Sequence, residues 1–144
     1  MSSYKILFGT ESGNAEVIAD DIVDALSTKG LQAVAIPMDE YAVDDLSPGE
    51  RYVFITSTYG EGELPETTQP FFEALNGLES LAGVEFFAFG LGDSTYTNYN
   101  RAIHVLIDSL QDLGAKLIGT IGKHDGNSGV SLSSAAHTWI SQSF

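Results

Sequence analysis

Lys5-Ile6-Leu7-Phe8-Gly9-Thr10-Glu11-Ser12-Gly13-Asn14-Ala15 is the stretch that decides the fold. A short apolar run of the buried-strand type meets a polar loop bounded by glycines. Beyond it Ala15, Ile18, Ala19, Ile22, Val23 and Leu26 recur at helical spacing, and Gly30 ends the helix. The rest of the chain repeats this unit. Leu31 to Ile36 read as a second strand of weaker apolarity, stopped by Pro37, which suits a sheet edge. Tyr52-Val53-Phe54-Ile55 is a third strand, apolar on both faces, and Phe71, Phe72 and Leu75 mark a second helix. Val84 to Phe89 form a fourth strand. Ile103, Leu106, Ile107 and Leu110 mark a third helix that ends near Gly114. Leu117 to Ile121 form a fifth strand, and Ala135, Ala136, Trp139 and Ile140 a closing helix. Strands alternating with helices predict an α/β domain, a doubly wound parallel sheet covered on both faces with right-handed crossovers. Ligands of such domains bind beyond the carboxyl ends of the strands, where the winding reverses. The loops after strands one, three, four and five are therefore the ones to inspect.

The 144 residues suit one domain, with 43% hydrophobic and 18% charged residues. No apolar run is long enough to cross a membrane, and the start lacks a signal-peptide pattern. Without cysteine there is no disulfide, thiol catalysis or iron–sulfur cluster, so a cytoplasmic address is expected. Six Lys and Arg face 20 Asp and Glu, giving a net charge of −14. Such a surface repels nucleic acid and anionic membranes and attracts basic proteins.

After strand one, Gly9-Thr10-Glu11-Ser12-Gly13-Asn14-Ala15 places hydroxyls, an amide and a glycine at a helix N-terminus, where unsatisfied N–H groups and the helix dipole favour an anion. The same residues would serve equally as an ordinary Ser/Thr helix cap. Neither the Gly-x-x-x-x-Gly-Lys pattern of triphosphate loops nor the Gly-x-Gly-x-x-Gly of dinucleotide sites is present. After strand three, Thr56-Ser57-Thr58-Tyr59-Gly60-Glu61-Gly62-Glu63-Leu64-Pro65 combines two glycines with an aromatic at the top of the sheet, where it offers a flat face to a planar ring. After strand four, Gly90-Leu91-Gly92-Asp93-Ser94-Thr95-Tyr96-Thr97-Asn98-Tyr99-Asn100 repeats the recipe. Each loop alone could be an unremarkable surface connection. Together, at one end of one sheet, they describe a pocket for a phosphorylated ligand with a flat ring system.

These residues resemble the flavodoxin family. Thr10-Glu11-Ser12-Gly13-Asn14 is similar to its phosphate loop. Thr58-Tyr59-Gly60-Glu61-Gly62-Glu63 and Gly90-Leu91-Gly92-Asp93-Ser94-Thr95-Tyr96 look like its two ring loops. The first ring loop and Ala15-Glu16 lie closer to the FMN domains of diflavin reductases and their stand-alone bacterial relatives. The Gly-Asp-Ser-x-Tyr stretch and the absence of a sizeable insertion in strand five resemble short-chain flavodoxins. The resemblance covers residues 1–144 as a single domain and implies a flavodoxin-like strand order 2-1-3-4-5 with FMN as cofactor. It also implies that Thr10, Ser12, Gly13, Asn14 and Ala15 bind the FMN phosphate, with Glu11 among the cofactor-binding residues of the same loop, and that Ser57 and Thr58 help with the phosphate, the ribityl chain or the adjacent backbone. Tyr59 and Tyr96 would stack on the isoalloxazine. Gly60 would turn its carbonyl to the flavin N5, with Glu61 and Gly62 beside it. Gly92, Asp93 and Tyr99 would lie near the ring edge, with Gly90, Leu91 and Asn100 among the cofactor-binding residues, and Asp125, after strand five, would approach the site. Ala15 stands where many relatives have threonine, at a cost of roughly 1 kcal/mol for one hydrogen bond.

The implied function is low-potential, one-electron transport by a monomer that catalyses no reaction of its own. Glu11, Glu61, Glu63, Glu66, Asp93 and Asp125 fall at the pocket end, whereas Lys5, Lys29, Arg51 and Lys116 fall away from it; Lys123 and Arg101 are the exceptions. One carboxylate ~10 Å from the ring opposes the second electron by up to ~1.7 kcal/mol at an effective dielectric near 20. The same acidic rim would dock basic redox proteins such as an NADPH-dependent flavodoxin reductase and an acceptor enzyme. The competing reading is an FMN-dependent NAD(P)H:quinone reductase, but no dedicated nicotinamide or quinone loop is evident. A phosphorylation-receiver domain is set aside because strand three runs Ile55-Thr56-Ser57, without the acceptor aspartate. His104, His124 and His137 have no metal-ligand spacing; His124 is expected in a loop. Ser133 lacks the strand-turn-helix setting of a nucleophile.

Overall fold

Along each central strand, alternate residues enter two separate cores. In β1 (Ser3–Gly9) Ile6 and Phe8 pack on one face and Leu7 on the other; in β3 (Arg51–Ser57) Val53 and Ile55 oppose Tyr52 and Phe54. This period-two division, with both halves apolar, is what a sheet buried on both faces requires. The computed structural model describes residues 3–9, 13–58, 64–92, 101–126 and 128–144. Its remaining elements are α1 (Asn14–Thr28), β2 (Gln32–Pro37), α2 (Gln69–Leu75), β4 (Glu85–Gly92), α3 (Arg101–Asp112), β5 (Lys116–Leu117), β6 (Gly122–Asp125) and α4 (Leu132–Ser143). Two single-turn 3-10 helices, Met38–Glu40 and Val43–Asp45, follow β2.

All pairings are parallel and the order is β2-β1-β3-β4-β5, with β6 also on β4, as the alternation and the family resemblance predict. α1 and α4 cover one face. Ile18, Ile22 and Trp139 meet Ile6, Val53 and Phe89 there. α2 and α3 cover the other, where Phe71, Leu75, Ile103 and Leu106 meet Phe54 and Phe86. Each fully buried Ile, Leu or Phe of these layers contributes roughly 1.5–3 kcal/mol of apolar transfer energy. Pro37 is the last residue of β2 rather than the residue after it, opposite Phe8 in the register. A proline fits there because β2 is an edge strand.

Further expectations change. Strand four extends beyond Phe89 to Gly92, so Gly90, Leu91 and Gly92 belong to the sheet and not to the loop. The fifth strand is broken. Between its pairings with Leu117 and Gly122, β4 advances three residues (Phe86 to Phe89) while the neighbouring chain advances five. The two extra residues loop out through Gly119, whose φ of 71° suits glycine. The Trp139 indole fastens that loop by donating to the Thr120 carbonyl at 2.9 Å, and its ring stands edge-on to Phe89 at 5.3 Å. A hydrophobic pattern does not reveal such a slip, because Ile118 and Ile121 are apolar but lie in the connection. One consequence is that His124 lies on β6, buried, where its Nε2 donates to the Val130 carbonyl at 2.7 Å.

Candidate functional site

The parallel register brings four strand ends to one level. Phe8, Ile55, Phe89 and Gly122 form one rung across the sheet, and Gly9, Thr56, Gly90 and Lys123 the next. Above them the β3–β4–β6 part closes with Ser57 opposite Leu91 and Gly92 opposite Asp125. Two backbone bonds extend the ladder into the loops: Thr58 N–H donates to the Leu91 carbonyl at 2.8 Å, and Gly126 N–H to the Gly92 carbonyl at 2.7 Å. The loops after β1, β3, β4 and β6 thus leave from a common edge, as a doubly wound site requires.

Gly13 is the N-cap of α1 and takes the left-handed conformation, with φ 89°. An L side chain is strained there. Having no side chain, Gly13 cannot cap α1 itself, so the first-turn N–H groups, those of Asn14 and Ala15 included, face the carboxyl edge of the sheet without a cap from that position. An anionic group suits that position, and the helix dipole adds to the attraction. Asn14 is exposed. Ala15 is fully buried against the α1–α4 core, so its contribution toward a ligand is its backbone N–H.

Ser57 ends β3 half-buried, and its carbonyl accepts from the Thr56 hydroxyl at 3.1 Å. The Thr58 hydroxyl accepts from the Ala102 N–H at 3.1 Å, tying the end of β3 to the first turn of α3, and keeps its own hydrogen for a further acceptor. Gly90 is buried in the strand. Leu91 packs its side chain in the α1–α4 core and offers only backbone to the edge. Gly92 is half-buried at the end of β4, and Asp125 ends β6, its carbonyl accepting from Ser128 Oγ at 2.7 Å. Thr10, Glu11, Ser12, Tyr59, Gly60, Glu61, Gly62, Asp93, Tyr96, Tyr99 and Asn100 lie outside the described residues.

Beneath this edge lies an arrangement that the motifs do not announce. Thr56 and Thr68 are both fully buried and their hydroxyls meet at 2.8 Å. Thr68 is the N-cap residue of α2, and its carbonyl accepts the Phe72 N–H at 2.9 Å. A Cβ built on Gly9 would collide with the Thr68 hydroxyl and lie 2.9 Å from its Cβ. β1, β3 and α2 are therefore locked together immediately below the loops that start at Thr10 and Tyr59. A glycine before a hydroxyl-rich loop was the signal available for Gly9; nothing in the spacing marks Thr68 as its neighbour.

Around the site, burial lowers the pKa of the His104 imidazole on α3, and Lys123 on β6 lowers it further, while Asp108 acts in the opposite sense. Among the described residues no group of three His, Asp or Glu is arranged to hold a metal, and no helix is long and apolar enough to cross a membrane. A separate cavity of about 620 Å³ lies between the C-terminal halves of α1 and α4, lined by Asp21, Ala25, His137 and Ile140 among others. It includes none of the residues expected at the site. Ser133, on α4, donates to Asp21 at 2.9 Å, which gives it a structural partner.

The described residues fit an anionic group such as a phosphate on structural grounds: an αL glycine opens an anion-favouring helix terminus, with the ends of three further strands alongside. Comparison with known proteins agrees. The family model described as Flavodoxin matches residues 6–139. The chain is 34% identical over 116 residues to the sulfite reductase [NADPH] flavoprotein alpha-component of Neisseria meningitidis serogroup C, covering 79% of this chain and 19% of that protein. It is 31% identical over 141 residues to the NADPH-dependent diflavin oxidoreductase 1 of Cryptococcus neoformans, covering 95% of this chain and 23% of that protein. The chain thus spans about a fifth of the length of these relatives. Among solved structures, oxidised Flavodoxin 1 from Bacillus cereus superposes with a TM-score of 0.83 at 25% identity, covering 98% of this chain and 96% of that one.

Proposed function

The chain belongs to the flavodoxin family, whose cofactor is FMN, and from that premise we propose that it is a cytoplasmic, monomeric carrier that moves electrons one at a time between an NADPH-dependent reductase and an acceptor enzyme. The observation that carries the proposal is the αL Gly13 at the start of α1, set on the same edge as the closing residues of β3, β4 and β6. FMN supplies the redox chemistry: its ring system accepts and releases electrons singly or in pairs, and the surrounding protein sets which is favoured.

The chain's own residues would do the rest. The backbone N–H groups at the start of α1, with Thr10, Ser12 and Asn14, would bind the phosphate. Ser57 and Thr58, already tied into the sheet and to α3, would hold the adjoining part of the ligand. Tyr59 and Tyr96 would cover the ring and exclude water from its faces, and Gly60 would offer a carbonyl at the ring edge. Acids on the loops of this edge would oppose accumulation of negative charge on the bound group and so keep the carrier strongly reducing. The alternative of an NAD(P)H:quinone reductase draws no support from the family relationships.

The test is a relay assay. With FMN bound, the protein should pass electrons from an NADPH-dependent flavodoxin reductase to a terminal acceptor. It should not oxidise NADPH or NADH when mixed with a quinone alone. Turnover of nicotinamide and quinone without the reductase would replace the carrier by the enzyme reading.

A further inference from the structure

Four of the six Lys and Arg residues lie away from the carboxyl edge of the sheet. Lys5 pairs with Glu50 at 3.6 Å and Arg51 with Glu85 at 3.9 Å, both at the amino end of the sheet. Lys116 stands opposite Glu85 in the β4–β5 register. Lys29, just beyond α1, donates to the Phe144 carbonyl at 2.8 Å. Arg101 and Lys123 differ. Arg101 is the first residue of α3 and Lys123 lies on β6, opposite Gly90, so both are at the carboxyl edge. Both are exposed, and among the described residues neither forms an ion pair. His104 connects them: it is one helical turn from Arg101 and lies within the field of Lys123.

Stability does not explain these two positions. A cation in the first turn of a helix opposes the dipole, and α3 has no acid in its first turn to offset it. Nor does general solubility, since the chain carries −14 and its other cations are at the far end or engaged. The charged residues otherwise expected at this edge, among them Glu66 and Asp125, are acids.

We infer that Arg101 and Lys123 form a positive corner on an otherwise acidic docking face, and that this corner receives a carboxylate at the edge of the redox partner's basic surface. The inference rests on the electron-carrier reading above. An evenly acidic face attracts a basic surface but leaves the partner free to rotate on it. One spot of opposite sign makes wrong rotations bring like charges together, and so selects the rotation in which electrons pass.

The test turns on a sign. Arg101→Gln/Lys123→Gln and the control Lys29→Gln/Lys116→Gln each take the net charge from −14 to −16. If bulk charge alone draws in the partner, both should accelerate association. The corner predicts divergence. In stopped-flow reduction of the FMN-loaded protein by an NADPH-reduced flavodoxin reductase at low ionic strength, the rate constant of the first variant should fall by about threefold or more. The control should match or exceed the unsubstituted protein, and the difference should shrink as salt is added. Fluorescence titration should show the same FMN affinity for all three, which separates docking from cofactor binding. Equal or faster reduction of Arg101→Gln/Lys123→Gln relative to the control overturns the corner while leaving the carrier reading intact. Failure of the unsubstituted protein to bind FMN or accept electrons removes the carrier reading, and the corner with it.

Discussion

The hydroxyls of Thr56 and Thr68 lie 2.8 Å apart in the interior, linking the end of strand β3 to the start of helix α2. Thr56 donates its hydrogen to the Ser57 carbonyl at 3.1 Å, so the pair is one junction in a chain that ends at the site. A buried hydroxyl that loses its partner bears its desolvation cost alone. Thr68→Val keeps the shape and removes the partner. It should lower stability by about 1–2 kcal/mol, read as a shift in the urea midpoint at unchanged slope. Because the loops after β1 and β3 start at this junction, the FMN dissociation constant should rise as well. A valine protein with both quantities unchanged would mean that the hydroxyl pair has no role.

Gly9 has no room for a side chain. Its would-be Cβ meets the Thr68 hydroxyl and lies 3.2 Å from the Thr68 backbone nitrogen. Gly9→Ala should therefore cost about 1–3 kcal/mol, as overpacking of a rigid interior does. Gly9→Ala/Thr68→Ala should be less destabilised than the sum of the two single substitutions, since alanine at 68 removes the colliding oxygen. Relief should be incomplete because the Cβ of residue 68 remains, 2.9 Å away. Additive costs in the double-mutant cycle would show that the two positions do not meet.

His104 should titrate below the usual histidine value of about 6.5, chiefly from burial and secondarily from Lys123. A group whose folded pKa is depressed favours the folded state above the unfolded pKa and loses that contribution as pH falls. Its share of stability should thus be present above about pH 6.5 and decline toward lower pH. Ring-proton NMR checks the cause: Lys123→Gln should raise the midpoint and Asp108→Asn should lower it. A midpoint unaffected by either would remove the electrostatic account.

The architecture was legible because both faces of the sheet are buried: runs such as Tyr52 to Ile55 cannot be read as half-exposed strands, and their alternation with helical repeats leaves few topologies. What escaped were features set by register and by contacts distant in sequence. The break between Leu117 and Gly122 follows from two looped-out residues that remain apolar in part, so the pattern continues through it. Leu91 reads as part of a loop beside two glycines, yet it is a core residue, because β4 continues to Gly92. At the site, Gly13 and the edge position of Ser57, Thr58, Gly92 and Asp125 follow the motifs. The Thr56–Thr68–Gly9 junction does not, since it joins residues up to 59 positions apart through space alone. Thr58, read as serving the ligand or the adjacent backbone, holds backbone: its hydroxyl accepts from the Ala102 N–H.

The most direct measurement is a titration of FMN with the purified protein, followed by flavin fluorescence and the visible spectrum. With the phosphate at the αL helix terminus and the ring between Tyr59 and Tyr96, as proposed, the protein should quench the emission at one FMN per chain and shift the absorption bands, and competing phosphate should weaken the binding. Emission that persists at its free-solution intensity in the presence of excess folded protein would contradict the account at its centre.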